Sequence, residues 1–171
     1  TYTVSESENN GTVTVDGSLA TYTPPLNYSG TDSFEFIVDD GELSATATVT
    51  LTVTPVNDAP TLAAVSTVTF DEDGSGSTTL SGDDIDGDAL TYSISGGTDI
   101  TATVDGSSIS FTASANFNGS ESFTATVTDG ELSSSQTFTV TVNAVNDAPT
   151  LAAVDTVTFA EDGSSSTTLL G

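Results

Sequence analysis

The chain has 171 residues and a formal net charge of −25, because it contains 25 acidic residues and no Lys, Arg or His. No side chain can neutralise a phosphate, so nucleic acids and anionic membranes are poor partners. The absence of Cys, His and Lys also removes disulfides, zinc thiolate sites, the commonest general base and Schiff-base chemistry.

The apolar residues nevertheless predict a folded chain. They make up 35% of the sequence, and the strongly apolar ones fall at regular spacings, which is not typical of a disordered chain. No run of 18 apolar residues occurs, and the sequence opens at Thr1 inside a strand-like pattern, without a signal peptide. We therefore expect a segment of a longer protein.

An internal repeat organises the chain into three units. Three stretches recur at a shift of 145 − 56 = 89 residues: VNDAPTLAAV (56–65 and 145–154), DGELS (40–44 and 129–133) and NYSGTDSF with NFNGSESF (from Asn27 and Asn116). The first unit, residues 1–55, is expected to hold the last five strands of one repeat. The complete unit covers residues 56–144, and residues 145–171 are expected to hold the first two strands of a third unit.

Within the complete unit, apolar side chains alternate with Ser and Thr, as in Phe123, Ala125 and Val127. This period of two is typical of half-buried antiparallel strands. Turn signals separate strands expected near 66–70, 77–81, 90–95, 100–104, 108–113, 121–128 and 134–143. The pattern predicts an all-β fold of tandem seven-stranded immunoglobulin-like β-sandwiches, with the aromatic residues mostly in the core.

The acidic residues are clustered as well as numerous. The sequence DDIDGDAL at residues 83–90 places Asp83, Asp84, Asp86 and Asp88 within six positions. At the effective dielectric of a protein surface, two unit charges about 4 Å apart repel by about 4 kcal/mol. Because the chain has no basic side chain, the compensating charge must come from solvent sodium or from a bound divalent cation.

The placement of the acidic turns favours the divalent cation. If the strands run alternately up and down, the linker PVNDAP, the loop DDIDGD and the hairpin DGELS lie at one end of the sandwich. The turn DEDG lies at the other end, beside the exit linker AVNDAP. Oxygen ligands from flexible loops bind calcium, so we expect calcium at each junction. An EF-hand does not fit, because Gly87 is fourth from Asp84 and Ser95 is twelfth.

Five motifs together carry a family resemblance: VNDAP, EDG, D-x-D-G-D-x-LTY, N-[YF]-x-G-[TS]-[DE]-SF and DGELS. With them, essentially the whole chain resembles the cadherin-like and immunoglobulin-like tandem repeats of large bacterial surface and secreted proteins, including adhesins. This resemblance implies a rod of sandwiches that calcium makes rigid.

By analogy with cadherin linkers, the resemblance also implies a set of calcium ligands. They are Asn57, Asp58, Asn146 and Asp147 in the linkers, Glu72, Asp73, Glu161 and Asp162 after the first strand, Asp84, Asp86 and Asp88 in the loop, and Asp129, with its counterpart Asp40, in the last hairpin. Pro55 and Ala144 stand where a cadherin linker opens with an acidic residue, which leaves the number of ions at each junction open.

The two incomplete units are complementary. The third unit stops at Gly171, which is equivalent to Gly82, and the first unit starts at Thr1, which is equivalent to Thr91. We expect the 145–171 segment to complete the 1–55 segment of the next copy, either in a continuous polymer or by strand donation between subunits. Both arrangements give a head-to-tail fibre.

These observations favour a non-catalytic structural repeat of an extracellular adhesin, stalk or filament, secreted or on the cell surface, whose partners are neighbouring copies of the repeat. The alternative is a calcium-dependent module that binds a sugar or protein ligand. An enzyme with paired carboxylates is disfavoured, because the acids recur with the repeat and no nucleophile or base accompanies them. The triplets at Asn10, Asn27 and Asn118 match glycosylation sites mostly by chance.

Overall fold

The computed structural model describes residues 1–170, which form strands and no helix. The strands are β1 (Tyr2–Val4), β2 (Thr12–Asp16), β3 (Leu19–Thr23), β4 (Gly30–Asp39), β5 (Ser44–Val53), β6 (Thr61–Leu62), β7 (Val68–Asp71), β8 (Ser75–Thr79), β9 (Gly82–Asp83), β10 (Thr91–Gly96), β11 (Ile100–Asp105), β12 (Ser108–Ala113), β13 (Gly119–Thr128) and β14 (Ser133–Asn143). Within this range, no helix has the length and hydropathy needed to cross a membrane. The predicted all-β fold is confirmed.

The complete unit is a sandwich of two sheets. One sheet has the strand order β10-β13-β14-β7, and the other has the order β11-β12-β8. Neighbouring strands are antiparallel except β7 and β14, which run parallel in a register that pairs Val68 with Val140 and Asp71 with Asn143. These are the seven strands that the sequence predicted, and their ends differ from the prediction by at most two residues.

The two sheets enclose a core built from alternating side chains. Phe123, Ala125 and Val127 of β13 are buried, whereas the threonines between them are partly exposed. Phe111 of β12 lies edge-on to Phe123, with ring centroids 5.3 Å apart, and so connects the two sheets. Phe138 of β14 lies 6.0 Å from Phe111 and completes the aromatic cluster. The alternation seen in the sequence therefore marks the core face of each strand.

One strand pair lies outside the predicted set. β6 pairs with β9 through Thr61 opposite Asp83 and Leu62 opposite Gly82. Strands of two residues show no alternation that a sequence pattern could reveal. This pair fixes Asp83 in a ladder directly before the acidic loop.

The turn between β10 and β11 requires glycine at Gly97. Its φ is 78°, and a Cβ there would lie 2.3 Å from the carbonyl oxygen of Ile100. Because the backbone conformation and the contact both disfavour a side chain, Gly97→Ala is expected to lower the free energy of unfolding by about 2 kcal/mol in urea denaturation followed by circular dichroism. The matched control is Gly106→Ala, which has a φ of 58° and open space around its Cβ position. Equal losses in the two variants would contradict a role for the Ile100 contact.

The first unit contains five strands in two sheets. β1, β4 and β5 form one sheet, and β2 pairs with β3 to form the other. β4 and β5 are the longest pair, with Gly30 opposite Val53 and Asp39 opposite Ser44. Among residues 1–170, the outer edges of β5 and β3 have no neighbouring strand.

The C-terminal segment, residues 145–170, forms no strand. The sequence predicted the first two strands of a third unit in 145–171; this expectation is not met in the described residues, and Gly171 lies outside them. In the complete unit the equivalent strands, β7 and β8, are held by β14 and β12. A strand without a partner leaves its backbone groups unpaired and is not stable alone. The segment therefore has the sequence of two strands without the neighbours that would order them.

Candidate metal site

The loop between β9 and β10 is organised by Asp84. The Oδ1 atom of Asp84 accepts hydrogen bonds from the backbone N–H groups of Asp86, Gly87 and Asp88, at 2.9, 3.1 and 3.3 Å. Gly87 has a φ of 82°, which glycine adopts without a steric penalty. The loop thus folds around one carboxylate oxygen and leaves the side chains of Asp86 and Asp88 exposed.

Three carboxylates converge in this loop. One oxygen from each of Asp84, Asp86 and Asp88 lies within 4.8 Å of the other two, and no other group of three acids does so among residues 1–170. At an effective dielectric of about 20, each pair of charges at this separation repels by about 3.5 kcal/mol. The chain has no Lys or Arg, so the offsetting charge must come from solution.

The second carboxylate oxygen of Asp84 has no partner. Oδ2 is buried and accepts no hydrogen bond from any described residue. A buried carboxylate oxygen without a donor is unfavourable, whereas calcium is a hard cation that takes carboxylate oxygens as ligands. The donor set of three carboxylates, one with a free buried oxygen, therefore fits calcium.

The linker before the complete unit meets this loop. The backbone N–H of Asp58 donates to Asp86 Oδ2 at 2.7 Å, and Asn57 Nδ2 donates to Asp129 Oδ2 at 3.0 Å. A cleft of about 540 Å³ is lined by Asn57, Asp86, Asp88 and Asp129. The structure thus brings the linker, the acidic loop and the last hairpin together at one end of the sandwich.

The hairpin acids already accept hydrogen bonds from their own turns. The Asn57 amide and the backbone N–H groups of Leu132 and Glu131 hold the pKa of Asp129 below its usual value. In the first unit, the N–H groups of Leu43 and Glu42 lower the pKa of Asp40 in the same way. Of the two carboxylates, only Asp129 lies beside the acidic loop, so Asp40 has a turn-stabilising role alone in this structure.

The opposite end of the complete unit holds a buried acid, Glu72. Its Oε1 accepts the backbone N–H of Val145 at 2.6 Å. The backbone N–H of Glu72 donates to the Asn143 carbonyl oxygen at 2.9 Å. Glu72 therefore connects the exit linker to the end of β7 through two hydrogen bonds. Its Oε2 is buried without a hydrogen-bond partner among the described residues. Asp73 is exposed in the adjoining turn, with a φ of 64°.

Comparison with known proteins identifies the fold family. The model of the bacterial Ig domain family matches residues 1–52 and 57–143, which lie in the first unit and the complete unit. The chain belongs to the bacterial Ig domain family. Residues 1–52 are the first Ig domain and residues 57–143 are the second. No curated protein matches the chain.

Solved structures similar to these Ig domains have varied roles. The endo-fucoidan hydrolase MfFcnA4 from glycoside hydrolase family 107 is 22% identical, with a TM-score of 0.42 over 85% of this chain and 24% of its own. Drosophila N-cadherin EC1-3 is 14% identical, with a TM-score of 0.46 over 84% and 55%. Domains 4 and 5 of the S-layer protein SbsC are 19% identical, with a TM-score of 0.35 over 82% and 70%. The chain spans about a quarter of the length of the hydrolase.

The remaining predicted ligands lie beyond the second Ig domain. Asn146, Asp147, Glu161 and Asp162 are exposed in the C-terminal segment. Asn146 donates only to the neighbouring Asp147 carbonyl oxygen, at 3.1 Å, and the three acids join no metal-sized cluster among residues 1–170. The structure therefore brings together the predicted ligands at the end of the second Ig domain where the preceding linker joins it. The predicted ligands in the C-terminal segment are not brought together.

One acidic position has a role that sequence reasoning missed. In the second Ig domain, Glu121 Oε2 accepts the backbone N–H groups of Thr98 and Ile100 at 2.9 and 3.0 Å, and Oε1 accepts that of Asp99 at 3.0 Å. Partial burial raises the pKa of Glu121, but the N–H groups of Asp99, Thr98 and Ile100 outweigh it, so the pKa lies below its usual value. Glu121 thus clamps the loop that follows Gly97.

The first Ig domain uses the equivalent carboxylate, Asp32, in the same way. Asp32 is buried and accepts the backbone N–H groups of Asn9 at 3.1 Å and Ser33 at 2.7 Å, and the Tyr22 hydroxyl at 2.7 Å. This last hydrogen bond raises the pKa of Tyr22 to about 12. The available signal was an acid at the same place in both repeats, as the last residue of NYSGTD and of NFNGSE.

Proposed function

We propose that this chain is a non-catalytic structural segment of an extracellular bacterial surface protein, in which calcium at the junction before each Ig domain stiffens a head-to-tail array. The observation that carries the proposal is the buried, unpartnered Oδ2 of Asp84 within a cluster of three carboxylates. No Lys, Arg or His side chain is present to offset that cluster, and the linker contacts it directly.

The ligands for one ion are available within this end of the second Ig domain. Asp84, Asp86 and Asp88 would hold calcium directly, and Asn57 and Asp129 line the cleft that Asp86 and Asp88 also line. Bound calcium supplies the positive charge that the polypeptide lacks. Asp84 orders the loop through its backbone hydrogen bonds, and Asp86 connects the loop to the linker at Asp58, so order in the loop limits motion of the linker.

An extracellular location is consistent with this chemistry. Extracellular calcium modules bind calcium with dissociation constants of about 10⁻⁴ to 10⁻³ M. We expect an affinity in this range from exposed carboxylates on a loop. Membership of the bacterial Ig domain family and the repeated units support a surface array whose partners are neighbouring copies of the repeat. In such an array, each incomplete sandwich is completed by its neighbour.

Isothermal titration calorimetry with calcium tests the proposal on the whole chain. We expect saturable binding that is lost in Asp86→Asn combined with Asp88→Asn, since these exposed side chains contribute charge without holding the loop together. Magnesium should bind more weakly, because it demands near-ideal octahedral geometry. The control is Asp105→Asn, which removes a single charge, at the end of β11. Equal calcium binding by the double variant and the wild type would overturn the proposal.

A further inference from the structure

One surface loop of the first Ig domain departs from the repeat. Residues 24–29 connect β3 to β4 and begin with Pro-Pro-Leu, whereas residues 113–115, which lie 89 positions later, are Ala-Ser-Ala. The Asn27 and Gly30 that follow do recur, as Asn116 and Gly119. Residues 24–29, called the PPL loop below, therefore carry apolar side chains that the repeat itself does not require.

The PPL loop holds Leu26 out in solvent. Its two consecutive prolines have fixed φ angles, and the backbone N–H of Tyr28 donates to the Pro25 carbonyl oxygen at 3.3 Å, which closes a turn around Leu26. Leu26 is 92% exposed. Ala115, at the same place in the second Ig domain, is exposed too, so the exposure is a property of this loop. A stiffened loop loses little conformational entropy when a partner covers it.

The PPL loop forms one wall of a groove between the two Ig domains. The groove has a volume of about 380 Å³, and Val56 of the linker, which is 78% exposed, also lines it. Tyr28 adds an aromatic ring to the lining, and its hydroxyl donates to the Thr31 carbonyl oxygen, which fixes the position of the ring. Apolar and aromatic side chains therefore meet at this groove from both the loop and the linker.

Two carboxylates of the second Ig domain line the same groove. They belong to Asp58, which is partly exposed, and to Asp86, which is exposed. The Asp58 N–H donates to Asp86 Oδ2 at 2.7 Å, which keeps the two residues together. The chain has no Lys, Arg or His side chain to neutralise them. The groove therefore combines apolar surface with negative charge.

An arginine with apolar neighbours matches this combination. Pro25, Leu26 and Val56 offer no side-chain oxygen to a metal ion, but they can cover the aliphatic stem of a long cationic side chain. A guanidinium donates to carboxylates in a fixed geometry and stacks on aromatic rings, as Asp58 and Tyr28 would require. Another copy of this chain cannot supply the group, because the sequence contains no Arg or Lys.

We propose that the groove between the two Ig domains binds an arginine flanked by apolar residues, on a segment of a different protein. The inference goes beyond the proposed function, because neither calcium nor a neighbouring copy of the repeat supplies the occupant. It makes this junction a docking site for a partner as well as a connection between two domains.

A nuclear magnetic resonance titration of the isotope-labelled whole chain tests the proposal. The probe is a peptide, Gly-Leu-Arg-Leu-Gly, with both ends capped, and chelator is present so that the result does not depend on calcium at Asp86. We expect saturable shifts of the backbone amide signals of Leu26, Asn27 and Val56. Peptides with Gln in place of Arg, or with Ser in place of both Leu, should bind at least about fivefold more weakly, because each lacks one part of the recognised chemistry.

Leu26→Ser tests the apolar part of the groove. Because Leu26 is 92% exposed, the variant should fold as the wild type does, and we expect it to bind the arginine peptide at least about fivefold more weakly. The matched control is Leu43→Ser. Leu43 is 77% exposed and directly precedes β5, whereas the groove lies at the other end of that strand, at Val53. Equal dissociation constants for the two variants would overturn the proposal.

Asp58→Asn tests the charge. It removes one carboxylate from the groove and should weaken binding of the arginine peptide by about threefold. Asp16→Asn removes one exposed carboxylate at the end of β2 and should leave the affinity nearly unchanged. Equal effects of the two substitutions, or amide shifts spread over the acidic turns of both Ig domains, would show attraction by net charge alone and contradict a built site. A titration without saturable shifts at the groove would contradict it as well.

Discussion

A hundredfold excess of calcium over its dissociation constant is expected to raise the melting temperature of the second Ig domain by about 10–20 °C. Binding to the folded state alone contributes about 2.7 kcal/mol at that excess. For a domain of this size, each kcal/mol shifts the melting temperature by about 4–8 °C. Differential scanning calorimetry in calcium and in chelator measures the shift.

Charge screening is the competing explanation for such a shift, and two controls separate it from binding. Sodium chloride at matched ionic strength should raise the melting temperature by far less, because screening acts on all 25 acids and not on one cluster. Asp86→Asn with Asp88→Asn should melt at the same temperature in calcium as in chelator. A rise in sodium chloride equal to that in calcium would show that the loop is only a solvated acidic turn.

Replacing Glu121 is expected to be the most damaging change at a charged position of the second Ig domain. Glu121→Gln leaves one acceptor oxygen where two oxygens accept three backbone N–H groups, and it turns an amide N–H₂ towards N–H donors. Hydrogen bonds to charged groups contribute about 1.5–3 kcal/mol each, so we expect a loss of about 2–4 kcal/mol in the free energy of unfolding. Urea denaturation measures it, and Asp105→Asn should change it by less than about 0.5 kcal/mol.

The contribution of Glu121 should also depend on pH in a defined direction. Its pKa in the folded protein lies below its usual value, so on acidification the unfolded chain binds the proton first. The stabilisation is complete above the ordinary glutamate pKa of about 4.3 and is lost as the pH falls through the lower folded-state pKa. The difference in unfolding free energy between wild type and Glu121→Gln should shrink over this range. A difference that stays constant from pH 7 to pH 3 would contradict the clamp.

The strands were predictable because their signal is local. Phe123, Ala125 and Val127 alternate with threonine, and that alternation alone defines the core face of β13. β6 and β9 were not predictable, since strands of two residues are too short to show an alternation of apolar and polar residues. The strands expected in the C-terminal segment failed to form for a different reason: their sequence is present, but their pairing depends on strands elsewhere.

The candidate site was predictable only in part. Carboxylates at the ends of a sandwich follow from the order of strands and turns, which is why Asp84, Asp86 and Asp88 were expected together with the linker. The orphaned oxygen of Asp84 depends on loop geometry that spacing does not encode. The role of Glu121 was missed because its partners are backbone N–H groups more than 20 residues away. Every residue except proline has such a group, so the residue types do not show which ones a carboxylate binds.

The parallel pairing of β7 with β14 has a consequence for a chain under tension. These are the first and last long strands of the second Ig domain, so a pull on the two linkers draws them in opposite directions along their common axis. The ladder from Val68 opposite Val140 to Asp71 opposite Asn143 is then loaded in shear, and its hydrogen bonds must break together instead of one after another. A tether built from such domains resists extension until a whole ladder yields.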